Sequence, residues 1–364
     1  MNKFYMPTQI LEGDGIVQSS ADVFKKLGKR ALIVTGRSSA KKCGALDDVV
    51  AALDSCQIEY NIFDEVRENP PISQNYDGAV VGKGADFVIG IGGGSPMDTA
   101  KGIAILLKHG TADYVEKLFG KKDYDALPVV TIPTTAGTGS EATPYSVFTD
   151  DNLETKLSMA RRVFPTYSLI DVKYFMTMPQ GVRNSTIIDA YSHAVESYLN
   201  VNSTPYSELY ALKAIELFGA HKDELSKEQI DSDIFIDFVR ASTYAGVAIA
   251  LTGTSLPHAL GYPITYHYGV PHGIANGMFM VEYFKLSPPQ RVATVLEKSG
   301  FNDLAEFKLY MDQFVKPLTS KIEVGQAKIS EFVAMLMSNQ AKLKNHPRKV
   351  TEGEILSVYN NSLA

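Results

Sequence analysis

The chain has 364 residues and a mass of 39.8 kDa, more than one hydrophobic core usually serves, so two domains are expected. Hydrophobic residues make up 45% and charged residues 21%, which excludes a disordered or low-complexity chain. Because 35 basic residues face 41 acidic ones, for a net charge of -6, no basic field exists to hold a phosphate backbone, and nucleic acid is excluded as a partner.

The pattern also predicts a compartment. Cys43 and Cys56 form no CxxC pair, and the N-terminus lacks the continuous apolar region of a signal peptide. The longest apolar run, residues 87–91, is far shorter than the roughly 18 residues of a membrane helix. We therefore expect a cytoplasmic protein with no membrane partner.

The first half alternates β-branched runs with helical stretches. This pattern predicts strands at 31–35, 59–64, 86–90 and 128–132, and helices at 46–54 and 96–107. Such alternation indicates a parallel sheet covered by helices. After about residue 177 only helical spacing remains, over 184–199, 207–218, 234–249 and 329–344. The predicted fold is α/β, with an α/β domain over 1–178 and an all-helical domain over 179–364.

A glycine loop joins a predicted strand to a predicted helix in the first half. The strand at 86–90 runs into Gly92-Gly93-Gly94, with Ser95 as the expected helix cap and Pro96 in the first turn. Backbone N–H groups in such a loop, together with the helix dipole, suit a pyrophosphate. A tight turn without a ligand is the alternative. A second strand end carries the hydroxyls and glycines of residues 133–141, which favours a dinucleotide.

The end of the first predicted strand bears on the choice of dinucleotide. NAD sites usually place an acidic side chain there, on the ribose 2′-hydroxyl. This chain has Gly36, Arg37 and Ser38 instead, which leave room and supply hydrogen-bond donors. NADP(H) is therefore favoured over NAD(H), with solvated surface cations as the alternative for Arg37 and Lys41.

Four residues of the second half form a candidate metal site. Asp189 and His193 are spaced i, i+4 on a predicted helix, so they share one face, and His258 and His272 follow. One carboxylate and three imidazoles suit Fe(II) or Zn(II). Each residue could instead be packed in the core, and His267 could compete as a ligand.

Four segments together resemble the iron-containing (group III) alcohol dehydrogenases, close to 1,3-propanediol and butanol dehydrogenases. They are GGGSPMD at 92–98, PTTAGTGSE at 133–141, DAYSHAVE at 189–196, and His258 with PHGIAN at 271–276. The resemblance covers nearly the whole chain. It implies a Rossmann-like dinucleotide-binding domain, a helical metal-binding domain (the dehydroquinate synthase-like fold) and Fe(II) between them.

Residue roles follow from the same resemblance. The metal ligands implied are Asp189, His193, His258 and His272. The cofactor contacts implied are Asn69, Pro70, Gly93, Gly94, Ser95, Asp98, Thr134, Thr135, Thr138, Thr143, Tyr145, Thr149 and Lys156. Many members carry a histidine four residues after the third ligand. Tyr262 stands there in this chain, so a proton relay would need Tyr262 or a water.

These features predict reversible hydride transfer between NADP(H) and a small neutral primary alcohol or diol, such as butanol or 1,3-propanediol, or the matching aldehyde. A neutral substrate is favoured because no Lys or Arg lies between residues 251 and 272. The alternatives are an NAD-dependent zinc polyol (glycerol) dehydrogenase, a dehydroquinate synthase-like lyase and a non-catalytic nucleotide-binding protein. The apolar segment 3–10 could add an edge strand to a partner, or it could form a strand that pairs within its own chain, and the resemblance implies a homodimer or a higher homo-oligomer.

Overall fold

The computed structural model describes residues 3–338, 340 and 342–363. These residues form two compact units. One is Met6–Pro179, and the other is Gln180–Ala364 with the few residues before Met6. Phe4 accounts for that assignment, since its ring packs on Tyr206 and stacks on Tyr210 of the helical unit, with centroids 5.7 and 6.1 Å apart. The N-terminal segment was predicted to belong to the α/β domain instead.

The first unit is built on a six-stranded parallel sheet. Its strands are β1 (Gln9–Glu12), β2 (Arg30–Gly36), β3 (Glu59–Val66), β4 (Phe87–Gly92), β5 (Val129–Pro133) and β8 (Tyr167–Ile170), and a separate antiparallel pair is formed by β6 (Val147–Asp150) and β7 (Thr155–Ser158). The strand order is β1-β8-β5-β4-β2-β3. Every residue of β4 and β5 is buried, as a parallel sheet covered on both faces requires.

Seven helices accompany this sheet in the first unit. They are α1 (Ile16–Ser19), α2 (Ala21–Leu27), α3 (Ser39–Lys42), α4 (Ala45–Ser55), α5 (Gln74–Val81), α6 (Gly94–His109) and α7 (Tyr114–Phe119). The apolar side chains of β2 and β4 pack in one core with those of α6, including Leu32, Val88 and Ile103. The predicted α/β fold with a parallel sheet is confirmed.

Among its described residues, the second unit contains helices joined by loops and no β-strand. Its helices are α8 (Gln180–Tyr198), α9 (Pro205–His221), α10 (Ser232–Thr252), α11 (Leu256–Tyr268), α12 (His272–Gly277), α13 (Met280–Leu286), α14 (Pro289–Lys298), α15 (Leu304–Thr319), α16 (Gln326–Ser338) and α17 (Glu352–Ser362). The helix predicted at 329–344 is shorter, because α16 ends at Ser338. Positions 339 and 341 of that prediction lie outside the described residues.

Helix α10 corrects one expectation about membranes. Its 21 residues have a mean hydropathy of 1.5 over the most apolar window, which is long and apolar enough to cross a bilayer. Within the fold, however, 67% of that window is buried, and α10 packs against α8 and α9. A helix that is this apolar and mostly buried against its neighbours is a core helix of its unit.

One local prediction was wrong, and another is narrowed by the structure. Helix α6 begins at Gly94, so its N-cap is Gly93 in an extended conformation, and Ser95 lies inside the first turn rather than capping it. The edge strand expected within segment 3–10 is β1, which begins only at Gln9. It pairs in parallel with β8 of the same chain, as the alternative for this segment predicted, and it lies at one edge of the sheet.

Candidate metal and cofactor sites

Helix α8 carries three polar side chains on one buried face. Asp189, His193 and Glu196 are spaced by four and three residues, and no more than 6% of any of them is exposed. Burial of polar groups on this scale needs partners for each. The partners come from α11 and α12, between 62 and 87 residues later in the chain.

A glycine brings α12 against α8. A Cβ added to Gly273 would lie 1.8 Å from the carbonyl oxygen of Ser185, so only glycine allows the two backbones to approach this closely. His272 precedes this glycine and begins α12. The contact therefore delivers the His272 imidazole to the Asp189 carboxylate.

Three of the four predicted ligands have their donor atoms together. Asp189 Oδ1 lies 3.5 Å from Nε2 of His258 and 3.9 Å from Nε2 of His272. One ligand atom from each of the three residues lies within 4.8 Å of the other two, and no other such group occurs among the described residues. We call Asp189, His258 and His272 the metal-ligand trio.

The fourth predicted ligand lies beside the trio. The ring of His193 stacks on that of His258, with centroids 4.4 Å apart and planes at 26°. His267, the possible competitor, stacks instead on Phe332 at 5.3 Å. The structure therefore places His193 next to the trio and assigns His267 to a packing contact.

An amide that the sequence analysis did not single out contacts all three trio residues. Asn276 Nδ2 lies 2.9 Å from Asp189 Oδ1, 3.2 Å from His258 Nε2 and 3.3 Å from His272 Nε2. The i, i+4 spacing from His272 places Asn276 one turn along α12. The i, i+4 spacing of His272 and Asn276 can be read from the segment PHGIAN. No sequence pattern predicts the contact between Asn276 and Asp189.

The trio concentrates charge in a buried place. Burial alone would raise the pKa of the Asp189 carboxyl, but the surrounding imidazoles hold this pKa well below its usual range. Burial alone would lower the pKa of His258, yet the carboxylates of Glu196 and Asp189 outweigh burial and raise it. The carboxylate stays ionised, and oxygen and nitrogen atoms without a thiolate fit Fe(II) or Zn(II).

A lysine from far along the chain lies on one side of the trio. Tyr262 stacks on His272 with ring centroids 5.4 Å apart. Lys342 donates to the Tyr262 hydroxyl (3.0 Å) and to Thr254 Oγ1 (2.8 Å). Because Lys342 follows Tyr262 by 80 residues, counting charges between 251 and 272 could not find it. The segment 251–272, which itself has no Lys or Arg, is therefore contacted by a lysine from outside it.

In the α/β unit, the glycine loop and the threonine loop lie side by side because β4 and β5 are neighbours. A Cβ added to Gly94 would lie 2.8 Å from the Thr138 side chain. The N–H of Thr134 donates to the Gly92 carbonyl at 2.9 Å. The hydroxyls of Thr134 and Thr135 are buried without a hydrogen-bond partner. Such unsatisfied hydroxyls beside a helix N-terminus fit a dinucleotide phosphate or amide.

Asp98 and Lys101 anchor the loop that follows. Asp98 accepts hydrogen bonds from Ser140 Oγ (2.6 Å) and the Val147 N–H (2.8 Å), and burial raises its pKa. Lys101, fully buried, donates to Ser140 and to the carbonyls of Thr143 and Tyr145. Asp98 therefore anchors the loop through these two hydrogen bonds, whereas the resemblance implies a contact with the cofactor.

The remaining predicted contacts gather at the β6–β7 pair. Thr149 of β6 lies opposite Lys156 of β7. The Thr149 N–H donates to the Pro70 carbonyl, and the Thr149 hydroxyl donates to the Asn69 carbonyl, both at 2.9 Å. Tyr145 precedes this pair, and burial raises the pKa of its phenol. The structure thus brings together residues that are about eighty positions apart in the sequence.

The end of β2 holds the residues that bear on the choice of dinucleotide. Arg37 and Ser38 are exposed there. Lys41 forms an ion pair with Asp64 at 2.6 Å, and this bond, with Arg37 nearby, lowers the pKa of the Asp64 carboxyl. Asp64 comes from β3, so the sequence analysis did not connect it with this loop. Its charge is neutralised by Lys41.

The regions that match known proteins cover nearly the whole chain. The family model described as iron-containing alcohol dehydrogenase matches residues 7–172, and that of the C-terminal part of the same family matches residues 184–363. An iron-containing alcohol dehydrogenase from Thermotoga maritima superposes with a TM-score of 0.91 at 38% identity, covering 100% of this chain and 99% of that chain.

Two curated relatives show how far the family varies. An NAD-dependent methanol dehydrogenase from Bacillus methanolicus is 29% identical over 83% of this chain and 81% of its own length. An NADPH-dependent butanol dehydrogenase from Clostridium saccharobutylicum is 28% identical over 89% of this chain and 85% of its own length. The relatives differ in both cofactor and alcohol, so the likeness alone leaves both open for this chain.

Proposed function

Because the chain belongs to the family of iron-containing alcohol dehydrogenases, we propose that it transfers hydride reversibly between NADP(H) and a small primary alcohol or diol. The observation that carries this proposal is the metal-ligand trio, a buried carboxylate with two imidazoles whose donor atoms converge. Asp189, His258 and His272 would hold the metal, with His193 as the fourth ligand.

When bound at these residues, a metal ion would supply Lewis-acid polarisation of the substrate oxygen, and a nicotinamide would supply the hydride chemistry. The chain's own residues bind and orient these groups. The ionised Asp189 would supply negative charge to the metal, and Asn276 donates a hydrogen bond to the Asp189 carboxylate. In the α/β unit, the backbone of Gly93 and Gly94 and the hydroxyls of Thr134 and Thr135 would receive the dinucleotide.

The residues at the end of β2 support NADP(H). Arg37 and Ser38 are exposed donors for a 2′-phosphate, and position 36 carries no carboxylate. The Asp64 carboxylate is bound by Lys41, so it adds little repulsion. Gly36→Asp, which would place a carboxylate at this strand end, tests the choice of cofactor.

The surroundings of Tyr262 support a diol over a plain alcohol. The Lys342 ammonium has three N–H donors and uses two of them on Thr254 and Tyr262. A second hydroxyl of the substrate would accept the third. Replacing Lys342 with methionine should then raise the KM for 3-hydroxypropanal and leave that for butanal nearly unchanged. An equal change for both aldehydes would contradict this preference.

The first experiment is an anaerobic assay of the protein reconstituted with Fe(II). Oxidation of NADPH and of NADH is followed separately with butanal, before and after chelation. We expect NADPH-dependent turnover that disappears on chelation and in His272→Ala but persists in His267→Ala, since His267 packs on Phe332. Turnover that resists the chelator would refute the metal-dependent mechanism. No turnover with any aldehyde would favour the lyase or the nucleotide-binding alternatives.

A further inference from the structure

Glu196 lies behind His258 on the side away from the rest of the trio. Its side chain is fully buried, in the interior of the helical unit. One oxygen is 2.5 Å from His258 Nδ1, and the other accepts the Ser255 N–H at 2.6 Å. Both carboxylate oxygens are therefore engaged, one of them with a ligand histidine.

The fold brings these groups together through two helices. Glu196 is seven residues after Asp189 on α8, so both side chains lie on the same face, two turns apart. Ser255 is the N-cap residue of α11, and His258 lies in the first turn of that helix. Glu196 thus fixes the start of α11 and the ring of His258 with a single carboxylate.

We propose that Glu196 is a positioning residue, which holds His258 as the Nδ1–H tautomer and so leaves the Nε2 lone pair directed at Asp189 and His272. A neutral imidazole carries one N–H, and an ionised carboxylate accepts hydrogen bonds but donates none. The proton must therefore be on Nδ1. Nε2, 3.5 Å from Asp189 Oδ1, is then the atom available to a metal.

Replacing the carboxylate with an amide reverses this logic. In Glu196→Gln the side chain has one acceptor oxygen and one NH2 group. The buried Ser255 N–H requires the oxygen, since an unpaired buried donor is costly. The NH2 group then faces His258 Nδ1, which must accept its hydrogen bond. The imidazole proton moves to Nε2, and the lone pair needed for metal binding is lost.

The test measures the tautomer of the neutral His258 ring directly in metal-free protein, at a pH above the raised pKa of that ring. Nitrogen-15 NMR of the histidine rings distinguishes Nδ1–H from Nε2–H and requires no assay of enzyme activity. We expect His258 to be Nδ1–H in the wild type and in Glu196→Asp, which keeps an acceptor-only group, and Nε2–H in Glu196→Gln. Ser197→Ala is the matched control, because Ser197 is fully buried on the same helix but bonds Thr252 instead of a ligand.

A Zn(II) titration gives the second readout. The dissociation constant should rise about 10–100-fold in Glu196→Gln, and by much less in Glu196→Asp and Ser197→Ala. An Nε2–H tautomer in the wild type, or unchanged tautomer and affinity in Glu196→Gln, overturns the proposal. If Glu196→Gln does not fold, an Nε2–H ring in Glu196→Asp overturns it as well.

This proposal rests on the metal site of the proposed function, but the two fail differently. Wild-type protein that shows the Nδ1–H tautomer and binds no Zn(II) or Fe(II) refutes the metal-dependent dehydrogenase. In that case the tautomer of Glu196→Gln still decides whether Glu196 sets the ring of His258.

Discussion

Each of the two units buries a charged side chain, and the groups that compensate the charge differ between them. In the α/β unit, Lys101 is bound by three carbonyl oxygens and a hydroxyl of the loop 140–145. In the helical unit, Asp189 is surrounded by imidazoles and an amide. The oxygens around Lys101 bind a cation that belongs to the chain itself, the Lys101 ammonium. The lone pairs around Asp189 converge where a cation would bind.

This contrast distinguishes a buried charge that stabilises the fold, at Lys101, from a buried charge that belongs to a candidate binding site, at Asp189. A buried charge is tolerated only when paired and hydrogen-bonded. At Lys101 the protein supplies every partner, so the result is a rigid loop next to the predicted cofactor contacts. At Asp189 the partners are themselves metal ligands in type and spacing. Removing either charge should therefore damage different properties of the enzyme.

The largest effect is expected from Lys101→Met. The substitution leaves four buried acceptors and Asp98 without their cation, which costs about 3–5 kcal/mol of unfolding free energy. Urea denaturation measures this loss. Binding of NADPH should weaken, whereas Zn(II) binding should remain. Lys108→Met, on the exposed side of α6, is the control and should change little. Full stability in Lys101→Met would show that the loop does not depend on this ammonium.

The pH dependence of stability sharpens the same point. Burial lowers the pKa of Lys101 to about 8, although Asp98 and Glu141 oppose this, against an ordinary value of 10.5. Between these pH values the unfolded chain binds a proton that the folded protein has released, so the unfolding free energy rises with pH. From pH 8 to 9.5 the wild type should gain about 2 kcal/mol relative to Lys101→Met. Parallel curves for the two proteins would contradict the lowered pKa.

Sequence patterns predicted much of this architecture where the signal is local. The strand, glycine loop and helix at 87–109 follow one another in the chain, and Asp189 and His193 are one turn apart. The contacts that complete the sites are not local. Lys342 reaches Tyr262 across 80 residues, and Asn276 reaches Asp189 across 87. No periodicity records such pairings, because they depend on how helices pack.

The cofactor residues show the same division. The threonines of the second loop were predicted because they follow a strand directly. Asp64 escaped prediction because it lies on β3, and only the pairing of β3 with β2 brings it next to Lys41. The role of Asp98 as a loop anchor likewise depends on Ser140, 42 residues away.

Gly273→Ala should disrupt the trio while sparing the α/β unit. The added Cβ would meet the Ser185 carbonyl at 1.8 Å, so α12 must shift, at a cost of about 1–3 kcal/mol for such overpacking. His272 moves with α12, and the Zn(II) dissociation constant should rise at least tenfold. Gly181→Ala, on α8 and facing open space, is the matched control. NADPH binding to the metal-free protein should be unchanged. An unaltered metal affinity would mean that α12 does not set the position of His272.

The smallest expected effect concerns cofactor choice at the end of β2. A Cβ added to Gly36 would lie 3.4 Å from the Val66 carbonyl oxygen, an ordinary contact, so aspartate fits without displacing the strand. Its carboxylate would repel a 2′-phosphate and accept a hydrogen bond from a 2′-hydroxyl.

The ratio of kcat/KM for NADPH to that for NADH should therefore fall about tenfold in Gly36→Asp, equivalent to about 1.4 kcal/mol. Gly36→Asn has the same size without the charge, and should shift the ratio much less. If both variants shift it equally, size decides the cofactor and not charge. If neither does, Arg37 and Ser38 bind the 2′-phosphate beyond the reach of position 36. A wild-type preference for NADH would refute the assignment to NADP(H) and leave the metal site untouched, because the two sites are built from separate parts of the chain.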